Sequence, residues 1–141
     1  MGAGAILRDS QDRVLLVQPS YKPGWEVPGG AVEFDESPRA ACSRELSEEL
    51  GLTSPLGRML CMEWQGPEPD RTESLMLLYD GGPIDGDDIR LTPEELHEHR
   101  FVAERDLDDY LVERLARRVR GALTALFDDC IVELENGRVV R

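Results

Sequence analysis

The sequence has little positive charge. Its 141 residues carry 16 Lys and Arg against 29 Asp and Glu, which gives a formal net charge of -13 at pH 7. A field of that sign repels nucleic acid and acidic membrane surfaces, so we expect neither a nucleic-acid partner nor a membrane partner. If the substrate is itself an anion, divalent cations are the obvious source of positive charge at the site.

Cysteine and long apolar runs are also scarce. The three cysteines, Cys42, Cys61 and Cys130, are odd in number and lack CxxC spacing, so we expect reduced thiols in the core. The start of the chain meets Arg8 and Asp9 too early for the apolar stretch of a signal peptide, and no run approaches the length of a membrane span. These absences favour a cytoplasmic protein.

The chain has the size of one domain, over residues 1-141, and 40% of its residues are hydrophobic. Short apolar runs between turn residues predict strands. Asn136-Gly137 indicates a hairpin turn near the end. The expected strands are an N-terminal hairpin (Ala3 to Leu7 and Val14 to Val17), Leu56 to Trp64, Ser74 to Tyr79, Ile89 to Leu91, Arg100 to Ala103, and a C-terminal hairpin within Ile131 to Val140. The stretch Pro93 to His99 is expected to be a turn or loop.

Two helices are predicted. Ser37-Pro38 is a typical helix start and Gly51 a typical stop, which indicates a helix over about residues 38 to 50. From Leu107, apolar residues at steps of three and four predict a longer amphipathic helix that reaches Leu126, with its arginines (Arg114, Arg117, Arg118, Arg120) on the outer face. Helices and strands mix without regular alternation, so we predict a mixed β-sheet with helices packed on it.

The first helix carries a stripe of acids. Glu45, Glu48 and Glu49 stand at positions i, i+3 and i+4, so their side chains converge. Each like-charged pair destabilises a helix by roughly 0.2–0.5 kcal/mol, and the last turns also face the negative end of the helix dipole. Clustered hard oxygen ligands suit Mg²⁺ or Mn²⁺. The alternative is a solvated acidic face, which explains neither Gly30 nor Glu36 nor their spacing.

The stretch Gly30 to Leu52 carries a longer motif. Gly30 is followed by five residues and Glu36, then by seven residues and Arg44-Glu45-Leu46-Ser47-Glu48-Glu49-Leu50-Gly51-Leu52. Here the sequence resembles the Nudix (MutT-like) hydrolase family, whose signature is G-x5-E-x7-R-E-U-x-E-E-x-G-U with U apolar. Every specified position matches. The flanking Trp25-Glu26-Val27-Pro28-Gly29-Gly30 also looks like the family.

The resemblance implies an α/β Nudix fold, in which a mixed β-sheet is sandwiched between α-helices, and it assigns roles to the motif residues. It implies metal binding by Glu45, Glu48, Glu49 and the Gly30 carbonyl. It also implies that Arg44 orients Glu45, and that Glu36 acts through water on a metal or fixes the loop to the helix. The expected catalytic residues are Glu48, Glu49, Arg44 and Glu95, with the general base drawn from the motif or from the later acid. Trp25 and Glu98 are weaker candidates for substrate contacts.

The function implied is Mg²⁺- or Mn²⁺-dependent hydrolysis of a phosphoanhydride bond in a nucleoside diphosphate linked to another group. Nucleoside triphosphates, ADP-ribose and nucleotide sugars all remain open as substrates. One alternative is a Nudix-fold nucleotide sensor without catalysis, which would require loss of motif residues. Another is an isomerase relative that acts on an isoprenoid diphosphate, and the complete signature counts against it. A homodimer is compatible with the sequence but not specified by it.

Overall fold

The computed structural model describes residues 1–140 and shows two α-helices and eight β-strands in that range. The helices are α1 (Pro38–Leu50) and α2 (Glu113–Phe127). The strands are β1 (Gly2–Arg8), β2 (Val14–Pro19), β3 (Gly29–Ala31), β4 (Met59–Gln65), β5 (Ser74–Pro83), β6 (Leu96–Val102), β7 (Val132–Glu135) and β8 (Arg138–Val139). None of the helices in this range is long and apolar enough to cross a membrane.

The strands form one mixed sheet in the order β6-β2-β1-β5-β4-β7-β8, and β3 pairs with β1 beside that path. The pairs β1 with β5 and β4 with β7 are parallel, whereas the other pairs are antiparallel. The predicted mixed sheet is therefore confirmed. Strand β1 lies near the centre of the sheet, and β3 pairs with it.

Two apolar cores flank the sheet. One packs side chains of α2, such as Val119 and Leu123, against Ile6 and Leu60. The other packs Leu46 and Leu50 of α1 against side chains from β1 and β2. Burial of each such side chain contributes roughly 1.5–3 kcal/mol, so each helix is held mainly by its apolar face. The sandwich of helices around a sheet is confirmed.

The first helix has the predicted ends. The Ser37 side chain accepts a hydrogen bond from the Ala40 N–H, and Pro38 takes the first helical position. Gly51 adopts a left-handed conformation (φ 68) and closes the helix through hydrogen bonds to its last turn. Because both ends are fixed by local chemistry, sequence spacing is enough to bound α1.

Both predicted hairpins are present. β1 and β2 are antiparallel, with Arg8 opposite Val14. β7 and β8 are joined through Asn136 (φ 50) and Gly137 (φ 80), the two positive angles that a tight hairpin turn needs. The predicted strand from Leu56 begins only at Met59, and the strand from Ser74 extends past Tyr79 to Pro83 because β1 pairs with it in parallel as far as Arg8.

Three predictions in the second half are wrong. Ile89 to Leu91 is not a strand, since this stretch follows a 3₁₀ turn and donates the Arg90 N–H to the end of α1. Leu96 to His99 belongs to β6 rather than to a loop, because it pairs with β2 at the sheet edge. The second helix begins at Glu113, since Leu107 lies in a separate 3₁₀ helix. Both elements have buried apolar residues at helical spacing, so the sequence pattern does not reveal that the chain leaves the helical conformation at Val112.

Candidate active site

Two glycines of β3 allow the backbone to approach α1. Gly29 has φ 147, and a Cβ there would lie 2.3 Å from the carbonyl oxygen of Ala3. A Cβ on Gly30 would lie 2.5 Å from the carboxyl carbon of Glu45. The Glu45 carboxylate therefore rests directly on the Gly30 backbone. A larger residue at either position would clash, which gives a physical reason for glycine at the start of the motif.

Glu49 is a buried carboxylate with one neutral hydrogen-bond donor. Its side chain accepts from the Gly29 N–H at 3.1 Å, and the residue is only 6% exposed. Burial raises the pKa of Glu49 to about 8, and the charges of Glu45, Glu26 and Glu95 also act to raise it. No cation in the described residues offsets this group, so negative charge at this point is costly to the protein alone.

Glu45 and Glu48 share Arg44. The Arg44 Nη1 donates to Glu45 at 3.0 Å and to Glu48 at 3.2 Å. Burial raises the pKa of Glu45, although the hydrogen bond from Arg44 opposes that shift. The Glu48 side chain is 48% exposed and lies at the open side of the cluster. We call Glu45, Glu48 and Glu49 the α1 carboxylate cluster.

Glu36 holds Arg44 in place. Arg44 donates from Nε and Nη2 to the two oxygens of Glu36, at 2.7 and 3.0 Å. This pairing holds the pKa of Glu36 down at about 2 and raises the pKa of Arg44. Arg44 also donates to the carbonyl oxygen of Ala31, so it connects the loop to the helix. Of the two roles suggested for Glu36, this geometry matches fixation of the loop.

A loop after β5 brings Glu95 to the cluster. The Thr92 side chain donates to the Glu48 carbonyl oxygen, and the Thr92 N–H donates to that of Glu49 at 3.2 Å. One carboxylate oxygen of Glu95 is buried without a hydrogen-bond partner, and its charge acts on both Glu45 and Glu49. Sequence reasoning named Glu95 but missed Thr92, since no local pattern reveals a cap that is 44 residues away.

The other sequence candidates lie apart from this cluster. Trp25 packs edge to face on Tyr110, with ring centroids 5.6 Å apart, and the guanidinium of Arg100 lies over its ring. Glu98 is exposed on β6 and pairs with Arg100 at 2.9 Å. Neither Trp25 nor Glu98 lines the cavity described next. Cys42 and Cys61 are buried as expected, whereas Cys130 is exposed, which corrects its assignment to the core.

A cavity of about 350 Å³ opens beside Gly29 and Gly30. Its walls come from β1, β5, α2 and the loop before β3, and most of the lining side chains are apolar. Lys22 and Glu26 lie in its lining and pair with each other at 2.9 Å. Sequence reasoning missed Glu26 as a cavity residue, although the segment that contains it flanks the motif.

Arg118 also lines this cavity, and its predicted position on the outer face of α2 is wrong. Arg118 is 5% exposed and forms an ion pair with Glu63, which is fully buried. Position 118 is three residues after Leu115 and four before Ala122, so helical spacing places it on the apolar face. The charge of the side chain concealed this, and its partner is 55 residues away in the sequence.

The chemistry of the site residues fits a divalent cation. Carboxylate oxygens are the ligands that Mg²⁺ and Mn²⁺ prefer, and burial raises the pKa values of Glu45 and Glu49, so a cation beside them would stabilise their charged forms. Between residues 1 and 140, no three His, Cys, Asp or Glu side chains already stand in a metal-holding arrangement. Arg44 engages two of the acids and the Gly29 N–H engages the third. Metal binding therefore requires these side chains to turn.

A family model described as NUDIX domain matches residues 1–126. The chain belongs to the NUDIX domain family. Over 53 residues it is 49% identical to diphosphoinositol polyphosphate phosphohydrolase 2 of Rattus norvegicus, a stretch that covers 37% of this chain and 30% of that protein. The chain thus spans less than a third of that relative's length.

Solved structures show the same Nudix fold. The MutT protein of Methanosarcina mazei Go1 aligns with a TM-score of 0.71 and 23% identity, over 91% of each chain. The NUDIX domain of Shewanella oneidensis NrtR, solved as a complex with ADP ribose, aligns with a TM-score of 0.72 and 22% identity, over 89% of this chain and 86% of that one. At these identities the likeness establishes the fold, and the predicted family and fold are confirmed.

Proposed function

We propose that this protein is a divalent-cation-dependent Nudix diphosphohydrolase that adds water across a phosphoanhydride bond. The substrate is a nucleoside diphosphate linked to another group, as in nucleoside triphosphates, ADP-ribose and nucleotide sugars. The observation that carries this proposal is the α1 carboxylate cluster. Two of its acids are pressed against a glycine backbone with raised pKa values, next to a cavity that can hold the rest of a substrate.

The residues that would hold the cation are Glu45, Glu48, Glu49 and the Gly30 carbonyl. When bound, Mg²⁺ or Mn²⁺ shields the charge of the diphosphate oxygens and lowers the pKa of a bound water. Arg44 keeps Glu45 in its orientation, and Glu36 keeps Arg44 in place. Such outer contacts typically change metal affinity or activity by roughly 10–100-fold when they are removed.

The reaction also needs a group that accepts a proton from the attacking water. Glu49 and Glu48 are the first candidates, and the raised pKa of Glu49 suits proton transfer near neutral pH. Glu95 is the second candidate, because its unpaired oxygen lies close enough for its charge to act on the cluster. As water forms its bond to phosphorus, the bridging oxygen leaves with the second phosphate group.

We also propose a reducing, cytoplasmic location. All three thiols are free in the structure, and Cys130 is exposed without forming a disulfide. Free exposed thiols are typical of reducing compartments.

The test is incubation of the pure protein with Mg²⁺ or Mn²⁺ and a panel of nucleoside triphosphates, ADP-ribose, nucleotide sugars and a diphosphoinositol polyphosphate, followed by product analysis. We expect turnover that EDTA abolishes, with products that show cleavage within the diphosphate. Retained nucleotide binding without turnover of any compound would instead identify a sensor. Glu49→Gln is the matched inactive variant, because it removes the charge while keeping the shape.

A further inference from the structure

Arg118 lines the cavity, and one of its nitrogen atoms is free to donate a hydrogen bond. Its Nε pairs with Glu63, and its Nη2 lies 2.5 Å from the Gln65 oxygen when that amide is turned to face the arginines. Within residues 1–140 its Nη1 makes no hydrogen bond, and the side chain belongs to the lining of the cavity. A charged side chain with a free donor therefore borders an otherwise largely apolar space.

A second contact fixes the direction of this donor. The other oxygen of Glu63 accepts from the Gly137 N–H at 2.5 Å, in the turn between β7 and β8. Asn136 in the same turn accepts from the Gly66 N–H at 2.9 Å, which clips the hairpin to the end of β4. This hairpin follows the residues 1–126 that match the family model. Glu63 is thus a positioning residue for Arg118. Glu63 is itself held by the hairpin of β7 and β8, which lies outside the residues that match the family model.

The charges around the cavity disfavour a multiply phosphorylated ring inside it. The cationic side chains in its lining are Lys22 and Arg118, and each already pairs with a carboxylate. The α1 carboxylate cluster adds further negative charge at the Gly30 end. A flat, uncharged group suits the apolar walls better, provided that its far end offers an acceptor to the Arg118 donor.

We propose that Arg118 is a specificity-determining residue that selects nucleotides whose base carries a carbonyl oxygen, such as uracil or a 6-oxopurine, over bases with an amino group in that place. This inference rests on the proposed function, with the diphosphate at Gly30 and the base in the cavity. An amino group facing Arg118 places a donor against a donor and leaves the buried nitrogen unsatisfied. A carbonyl oxygen forms a charge-assisted hydrogen bond there.

Paired substrates test the inference without any mutation. ITP and ATP differ at purine position 6, and UTP and CTP differ at pyrimidine position 4, in each case by an oxygen against an amino group. We expect kcat/KM to be at least about tenfold higher for the oxo member of the better-cleaved pair. Equal values, or a preference for the amino member, would overturn the proposal.

Variants then assign the preference to Arg118. Arg118→Lys keeps the charge beside Glu63 but cannot also reach the cavity, so the oxo-to-amino ratio of kcat/KM should fall to within about threefold, mainly through KM. Glu63→Gln should lower the ratio partway, because Arg118 loses its fixed direction. Arg117→Lys is the matched control, since Arg117 is an exposed neighbour on α2 that pairs with Glu113. Thermal melting checks folding, and an unaltered ratio in Arg118→Lys contradicts the assignment.

The possible failures are distinguishable. Absence of turnover for every diphosphate compound contradicts the proposed function. Turnover of nucleotides without an oxo preference contradicts only the role of Arg118. Faster cleavage of a diphosphoinositol polyphosphate than of any nucleotide also overturns the inference, but it leaves the diphosphohydrolase activity intact.

Discussion

Two groups of charged residues differ in what balances their charges. The α1 carboxylate cluster sets three acids and the nearby Glu95 against a single arginine, which Glu36 also engages. Under α2, the acid Glu63 has Arg118 on one oxygen and the Gly137 N–H on the other. The first group has more negative charge than the described residues offset, whereas both oxygens of Glu63 in the second group have partners within the fold.

This difference suggests that the α1 carboxylate cluster serves a ligand, whereas the pair of Glu63 and Arg118 supports the fold. Charge buried without a partner is unstable unless something binds to it, so it indicates a site for an external cation. A buried pair with both partners present needs no ligand to balance its charge, and its loss damages the structure when only one partner is removed. Changes in the first group should therefore affect catalysis most, and removal of Glu63 from the second group should affect folding most.

The largest expected effect comes from the cluster itself. Glu49→Gln or Glu48→Gln should lower kcat by at least about a thousandfold, because each removes a principal electrostatic group from the site. Steady-state hydrolysis with Mg²⁺ measures this. Glu135→Gln, on an exposed position of β7, is the control and should remain at the wild-type rate. A kcat within tenfold of the wild-type value for Glu48→Gln would show that Glu48 is not part of the active site.

The next effect concerns stability. Glu63→Leu leaves Arg118 and the Gly137 N–H without their partner, so the free energy of unfolding should fall by about 3–5 kcal/mol. Urea denaturation followed by circular dichroism gives the value. The double variant Glu63→Leu with Arg118→Met should recover most of the loss, since no unpaired charge remains. A single variant within about 1 kcal/mol of wild type would show that this pair is not a structural support.

A smaller loss of activity is expected for Arg44→Lys. Lysine cannot bond Glu36 with two nitrogens while it also contacts Glu45, so kcat should fall by about 10–100-fold. Arg39→Lys is the matched control on the same helix, because Arg39 donates to backbone carbonyls of Leu56 and Gly57. Equal activity of the two variants would contradict the orienting role of Arg44.

A further expected effect is a change in how the free energy of unfolding depends on pH. In metal-free protein the folded state holds the Glu49 proton more tightly than the unfolded chain, since burial raises the pKa of Glu49 from 4.5 to about 8. This contribution is fully present below about pH 4.5 and is lost as the pH rises through about 8. We expect the free energy of unfolding to decrease between pH 5 and pH 8.5, and to decrease less for Glu49→Gln than for wild type. Urea denaturation in EDTA at the two pH values measures this. An identical decrease would mean that Glu49 is not the titrating group.

Local chemistry makes part of the molecule predictable. The helix α1 can be bounded from its sequence because Ser37, Pro38 and Gly51 act within one turn of its ends. The C-terminal hairpin is predictable for the same reason, since Asn136 and Gly137 supply the required backbone angles. The spacing of Glu45 and Glu49 likewise puts both acids on one face of α1, because residues four apart are neighbours on a helix surface.

Long-range contacts account for what was missed. The first residues of β6 form a strand only because they pair with β2, which lies far away in the sequence. Arg118 looked like a surface charge because Glu63 is its partner only in the folded state. Thr92 and Glu26 join the site through contacts with α1 and Lys22 that no periodicity encodes.

Thr92 has one further consequence. By fastening its loop to the last turn of α1, it makes Glu95 and the helix acids one mechanical unit, whose internal spacing depends on hydrogen bonds to Glu48 and Glu49 rather than on loop length. Insertions before Thr92 in the chain can therefore lengthen the surface loop without moving one acid relative to the others. Surface loops can thus vary in length while these acids keep their separation.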